Sequence, residues 1–304
     1  MKNKHRLLSL LLSVLFLLSS VSNALAADSS VYIDAIDNVM DTLKQNDSSA
    51  SNINHQILIG RYRTVQMLEI IAYELDTTGA YADAIDSVMD TLKRNDSSAS
   101  NINHQILNGA YRTVQMLEII AYELDTNGVF GDYIESVMDT LKRNDSSATN
   151  INHQILNGTY RTVQMLEVIA YELDTNGVFK DFISDVMDTL KQNDSSASNI
   201  NQQIVNGTYR TVQMLEIIAY ELNTSGNDAF SDAISSVMDT FRQNNSSASN
   251  INHQHLNGTY RTVQMLEIIA YECIPEGALV DSHGNTTDKT DVDMTPDESI
   301  DNDL

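Results

Sequence analysis

Tyr111-Arg-Thr-Val-Gln-Met-Leu-Glu-Ile-Ile-Ala-Tyr-Glu-Leu124 is the stretch from which the fold is read. It recurs in five copies, starting at Tyr62, Tyr111, Tyr160, Tyr209 and Tyr260. YRTVQMLE is identical in every copy, and so is the IAYE that follows one residue later. At helical spacing Val114, Leu117, Ile120, Ala121 and Leu124 form one apolar stripe, widened on one flank by Met116 and Ile119. Gln115 and Glu118, framed by Tyr111 and Tyr122, fall on the opposite side. An apolar arc this wide needs more than one helix to cover it.

Upstream, the second copy offers a first helix from Tyr81 to about Arg94. Its apolar face is Tyr81, Ile85, Val88, Met89 and Leu92. Acidic residues at its start and Lys93 and Arg94 at its end suit the helix dipole. Asn95-Asp96-Ser97-Ser98 is expected to break it, because these side chains compete for backbone hydrogen bonds. Ser98 or Ser100 is then available to cap the next helix. From Ile102 through Ile106, Ala110 and Val114 the apolar spacing runs straight across Gly109. This fits one long helix, at a cost of about 1 kcal/mol for the glycine. It also fits a short helix followed by a second. The residue that would cap a second helix is Arg61, Ala110 or Thr159 in different copies, which favours a continuous or kinked helix. Asp125-Thr-Asn-Gly128 is expected to end the unit, with the glycine at C′.

Aligned on Val-Met-Asp-Thr, the units begin at Tyr32, Tyr81, Phe130, Phe179 and Phe230, at spacings of 49, 49, 49 and 51 residues. A period of this length signals stacked repeats. The fold expected is all-α: a right-handed α-solenoid of five near-identical helical hairpins, over 32–80, 81–129, 130–178, 179–229 and 230–275. A string of independent mini-bundles is the alternative. The array as a whole spans 27–275. Residues 276–304, with nine acidic side chains and one lysine, form an expected disordered acidic tail.

The first 26 residues have the plan of a secretory signal peptide. Lys2, Lys4 and Arg6 precede a leucine-rich run from Leu7 to Leu18, and Ala24-Leu25-Ala26 is a cleavage site. Export to a secreted or periplasmic location follows, with no membrane span after cleavage. Losing the leader's three basic residues takes the formal charge from −24 to −27. Such a surface repels nucleic acid and favours loose association with divalent cations. The lone Cys273 replaces a leucine of the other copies and reads as a small hydrophobe.

Chemistry-bearing patterns are few. Asp96, Ser97 and His104 are close in sequence but have no nucleophile elbow, and Gln202 replaces the histidine in the fourth copy. His55, His104, His153 and His253 recur singly, with His255 as an extra, and lack a metal-binding motif. No catalytic residue, cofactor or metal site is expected. The invariant pairs Tyr62–Arg63, Tyr111–Arg112, Tyr160–Arg161, Tyr209–Arg210 and Tyr260–Arg261 form a ladder that serves either packing or binding. Asn-x-Ser/Thr sequons, Asn157, Asn206 and Asn257 among them, make glycan attachment possible in an exported chain.

The function expected is therefore non-enzymatic. One reading is a self-assembling or structural component of an extracellular surface, matrix or filament. The other is a secreted or periplasmic binding module whose repeat face holds a peptide, glycan or partner protein. The departures from repeat identity, Ile59, Arg61, Gln202 and His255, look scattered, which favours the first. In an open solenoid, Val39 and Leu43 at one end and Leu266 and Ile269 at the other would be exposed. They would then join copies head to tail, or meet a surface or matrix partner.

Overall fold

The computed structural model describes residues 35–43, 45, 52–76, 78–99, 101–126, 128–147, 150–174, 176–197, 199–223, 228–248 and 250–273. The leader and the acidic tail lie outside the described residues, among which every regular element is a helix. Residues 35–43 are helical and are called α1. They are followed by α2 (Ile53–Leu75), α3 (Ala82–Ser98), α4 (Ile102–Leu124), α5 (Gly131–Ser147), α6 (Ile151–Leu173), α7 (Lys180–Ser196), α8 (Ile200–Leu222), α9 (Asp228–Ser247) and α10 (Ile251–Cys273). None of the described helices is long and apolar enough to cross a membrane.

The even-numbered helices are each 23 residues long and contain the quoted stretch. They begin where an asparagine, rather than the expected serine, supplies the cap. The Asn101 carboxamide oxygen accepts from the backbone N–H groups of Asn103 at 3.0 Å and His104 at 3.3 Å. The preceding helix also runs on through Asn95-Asp-Ser-Ser98 instead of breaking there. Ser97 and Ser98 turn their hydroxyls back onto the carbonyls of Arg94 and Asn95, which satisfies the last turn internally. At the other end Asp125 does double duty. Its backbone N–H closes α4 on Ala121, and its carboxylate accepts from the N–H groups of Val129 and Phe130, at 2.8 and 3.0 Å, ahead of α5. The positive-φ glycine, Gly128 at φ +64°, sits in the connector three residues beyond this cap and not at C′.

Each long helix runs unbroken through its glycine, and the reason lies in its neighbours. The long helices α2, α4, α6, α8 and α10 pack side by side, like position against like position. The glycine is the point of closest approach. A Cβ on Gly109 would lie 3.1 Å from the Arg61 Cβ and 3.4 Å from the Tyr62 ring. On Gly207 it would lie 2.7 Å from the Thr159 methyl. The helix-propensity penalty is offset by backbone proximity to the preceding unit. Each odd-numbered helix packs mainly on the long helix that follows it and touches the one before. Independent mini-bundles are thereby replaced by a continuous inner layer of long helices with an outer layer of shorter ones.

The open ends expected for a solenoid are absent among the described helices: α10 packs against α2 as fully as α2 packs against α4. The seam repeats interior detail. Tyr271 donates its hydroxyl to Asp37 Oδ1 at 2.7 Å, as Tyr73 donates to Asp86 Oδ1 at 2.7 Å one junction on. Gly60 faces the Thr259 methyl at a prospective Cβ distance of 2.6 Å. The run is a closed ring, and the end-to-end contact placed at Val39, Leu43, Leu266 and Ile269 is corrected accordingly. All four are buried within one chain, Leu43 at 0 % and Leu266 at 2 % exposure. A near-constant rotation of about one fifth of a turn between near-identical units brings the last face back to the first.

Closure can be tested at Gly60. An alanine there gains helix propensity worth about 1 kcal/mol. It must also displace Thr259, whose hydroxyl is tied to the His255 carbonyl at 2.9 Å. Overpacking of this kind costs about 1–3 kcal/mol. Gly60→Ala is expected to lower the denaturation midpoint in urea, and an unchanged or higher midpoint would show that the seam between α10 and α2 is loose.

Candidate functional site

Three regions of the ring bring together the polar residues singled out in the sequence. The first is the outward side of the inner layer. Tyr62, Tyr111, Tyr160 and Tyr209 are half-buried at the seams between long helices, where Tyr62 and Tyr111 face the glycine of the next unit, and Tyr260 is fully buried. Tyr209 also meets the Phe241 ring edge-on, with centroids 4.8 Å apart. Arg63, Arg112, Arg161 and Arg210 are half-buried beside them, while Arg261 is fully buried. Burial lowers the pKa of each of these four half-buried arginines. Arg63 donates to Gln66 of its own helix. The structure thus places the Tyr–Arg ladder within and behind the helix seams.

Between the outer helices Glu69, Glu118, Glu167 and Glu216 lie along shallow grooves. Burial raises their pKa, and Lys93, Lys142, Lys191 and Arg242 respectively oppose that shift. The rim above two of these grooves is apolar. Val129 and Val178 are 72 % and 65 % exposed, and Tyr133 and Phe182 stand exposed in the first turns of α5 and α7. The corresponding residues are Ala80 and Ala84 at the start of the second unit and Ala229 and Ala233 at the start of the fifth, while the first has Val31 and Ala35.

The second region is the end of the ring where the long helices finish. Glu123 faces Asp76 of the preceding unit, Glu172 faces Asp125, and Glu221 faces Asp174. The oxygens of all three glutamates are buried and make no hydrogen bond. Desolvation first, and then the neighbouring aspartate, pushes each carboxyl up to about 8. The aspartates are occupied with connector N–H groups, as described for Asp125, so the glutamates take the mismatch. Among the described residues no three His, Cys, Asp or Glu side chains converge as a metal site does.

The third region is the ring axis, and here sequence reasoning missed a juxtaposition. Position 61 of the first unit aligns with Ala110, Thr159, Thr208 and Thr259, all of them buried on the axis. Arg61 extends across it. Its Nη2 lies 3.4 Å from Thr159 Oγ1, 3.5 Å from Thr208 Oγ1 and 3.2 Å from His255 Nε2. His255 occupies a position held by isoleucine in the other four units. Two of the departures that look scattered along the chain therefore meet in space. A third, Ile59, marks a different pattern. Its counterparts Asn108, Asn157 and Asn257 are buried and donate to the carbonyls of Leu92, Leu141 and Phe241, each at 3.0 Å, tying inner to outer helix. Asn157, Asn206 and Asn257 are thus buried sequons that the folded ring withholds from a glycosyltransferase.

Comparison with protein-family models, with curated proteins and with solved structures returned no match.

Proposed function

We propose that the chain is an exported, non-enzymatic ring of five helical hairpins that acts as a binding module through the rim of its third and fourth units. The observation that supports this reading is the exposure of Val129, Tyr133, Val178 and Phe182, where neighbouring units have alanines. Large exposed side chains of this kind are the anchors from which protein interfaces draw most of their energy. Midway along the ring, Arg61, Thr159, Thr208 and Thr259 fill the axis and leave no passage for a macromolecular partner, so such a partner meets the outside of the ring. A net charge of −24 selects a partner whose surface is basic around apolar sockets. The leader peptide places that encounter outside the cytoplasm.

Head-to-tail assembly loses its basis once the ends meet each other. Self-assembly into a surface layer survives as a second reading only through the same apolar rim, which two copies can bury against one another.

The test uses the mature chain and a variant with serine at Val129, Tyr133, Val178 and Phe182. The four positions are exposed, and beyond the Tyr133 hydroxyl bond to Glu167 and the Phe182–Phe179 ring contact they hold little of the fold, so the melting temperature is expected to fall by no more than a few degrees. Retention on envelope material from the producing cells is expected to fall at least about tenfold, equivalent to about 1.4 kcal/mol of lost binding. Equal retention of both proteins would refute the assignment of the rim. A dimer of the parent in light scattering that disappears in the variant would point to self-assembly.

A further inference from the structure

We infer that the ring axis holds a small inorganic anion of chloride's size, in a cavity between the first turns of α8 and α10 beside His255 and Arg61. An uncompensated charge lies on the axis. The Arg61 side chain is 3 % exposed, and among the described residues no carboxylate bonds to it. Its Nε is buried without a hydrogen-bond partner. Stranding a guanidinium in a protein interior is costly unless a counter-charge accompanies it. The two threonines do not supply one. Thr159 and Thr208 spend their hydroxyl hydrogens on the carbonyls of Ile155 and Ile204, at 3.0 and 2.9 Å, and offer Arg61 only neutral lone pairs at long range. In a chain with 42 acidic and 18 basic residues, leaving this arginine without a carboxylate is conspicuous.

The space for a counter-ion lies next to His255, the residue that Arg61 reaches at 3.2 Å. A cavity of about 30 Å³, open on one side to solvent, is lined by Asn201, Ile204, Val205, Ile251, Asn252 and His255, with Arg61 behind the histidine. That is room for a water-sized sphere or a halide and little more. Its polar lining is donor-rich. If His255 Nε2 accepts from Arg61, the ring proton resides on Nδ1 and is available to an anion. Asn201 and Asn252, both exposed, also line it and carry carboxamides with N–H groups to offer, and the N-terminal turns of two neighbouring long helices add their dipoles. Burial, followed by the Arg61 charge, pushes His255 down to about 3, and burial alone pushes Arg61 down to about 10. The Arg61 charge that helps to lower His255 is the same charge that an anion beside the histidine would offset. The other four units place isoleucine where His255 stands, and alanine or threonine where Arg61 stands. The two substitutions that create the site lie in the first and last units, one on each side of the closure seam.

The experiment compares sodium chloride with sodium gluconate at equal ionic strength, using the mature chain, Arg61→Thr and His255→Ile. Each substitution installs the residue that other units already have, so both variants are expected to fold. Raising chloride from about 1 mM to 100 mM is expected to lift the melting temperature of the parent by roughly 5 °C, the linkage response to a ligand of about millimolar affinity. Gluconate is too large for the cavity and should give no such rise. Arg61→Thr is expected to abolish the difference, and His255→Ile to reduce it. Bromide-soaked crystals of the parent should show an anomalous peak beside His255 that Arg61→Thr lacks. Identical melting in the two salts, no bromide peak, or a peak and salt response that persist in Arg61→Thr would each overturn the inference.

Discussion

Raising the pH from 5 to 8.5 is expected to lower the melting temperature of the mature chain by about 5 °C or more. The cause is the row of carboxyls at Glu123, Glu172 and Glu221, each held near 8 in the folded ring against an ordinary value of 4.5. Between those values the folded chain binds more protons than the unfolded one. Stability therefore falls as pH rises through that window and levels off above about 8. The side chains are only partly enclosed, so solvent screens part of the effect, and the expected shift is small for three such groups. Glu69, Glu118, Glu167 and Glu216 are shifted the same way. His255 acts in the opposite sense. Its depressed value means the unfolded chain gains a proton first, so it removes stability as pH falls from 6.5 towards 3. One histidine does not outweigh three glutamates above about pH 5. Thermal melts of the parent and of Glu123→Gln/Glu172→Gln/Glu221→Gln across this range provide the check. The triple variant should be the more stable at pH 8.5 and should have the flatter profile. A parent profile that rises with pH would exclude the mechanism.

The largest effect is expected from removing the last unit. A chain ending at residue 229 loses both the junction of α10 with α8 and that of α10 with α2. The neighbours that cover Ile57, Val65 and Leu68 on one side and Val205, Val212 and Leu215 on the other are then disturbed or gone. Each large apolar side chain returned to water costs about 1.5–3 kcal/mol. A handful of them exceeds the 5–15 kcal/mol that a whole domain has in hand. The truncated chain is expected to lose its cooperative melt as a monomer, or to associate through the two exposed faces. Light scattering and circular dichroism distinguish these outcomes. A truncated monomer that melts like the full chain would mean that the ring junctions are additive and weak. Among the described residues of the full chain both faces are covered, and it should not form head-to-tail polymers at any ionic strength.

Much of this architecture was legible in the sequence because repetition amplifies each signal. The 3.6-residue apolar spacing across Gly109 pointed to one long helix, and the helix is continuous. The helix start was misplaced by one or three residues because Ser98, Ser100 and Asn101 are all competent caps, and only tertiary placement selects Asn101. The preceding helix outran its expected end because Asn95 to Ser98 can bond backward along a helix as readily as they can leave it. Closure was not legible. It depends on each of five junctions turning the chain by close to one fifth of a full circle, and no single residue encodes that angle. Arg61 and His255 show the same limit from the other side. They stand 194 residues apart in the chain and 3.2 Å apart in the ring, and their relation is invisible until the ends have met.

Closure also bears on how such a gene can change. Nearly identical tandem segments recombine unequally and gain or lose copies. In an open array an added copy lengthens the molecule and disturbs little. In a circle the copy number is a geometric constant. A sixth segment would have to widen the curvature at every joint and hollow out the axis, and it would move the arginine away from the histidine it now reaches. Selection on such a molecule would act on an integer, keeping the count at five while leaving the individual copies free to be overwritten by one another. Their near-identity and their fixed number would then be two results of one shape.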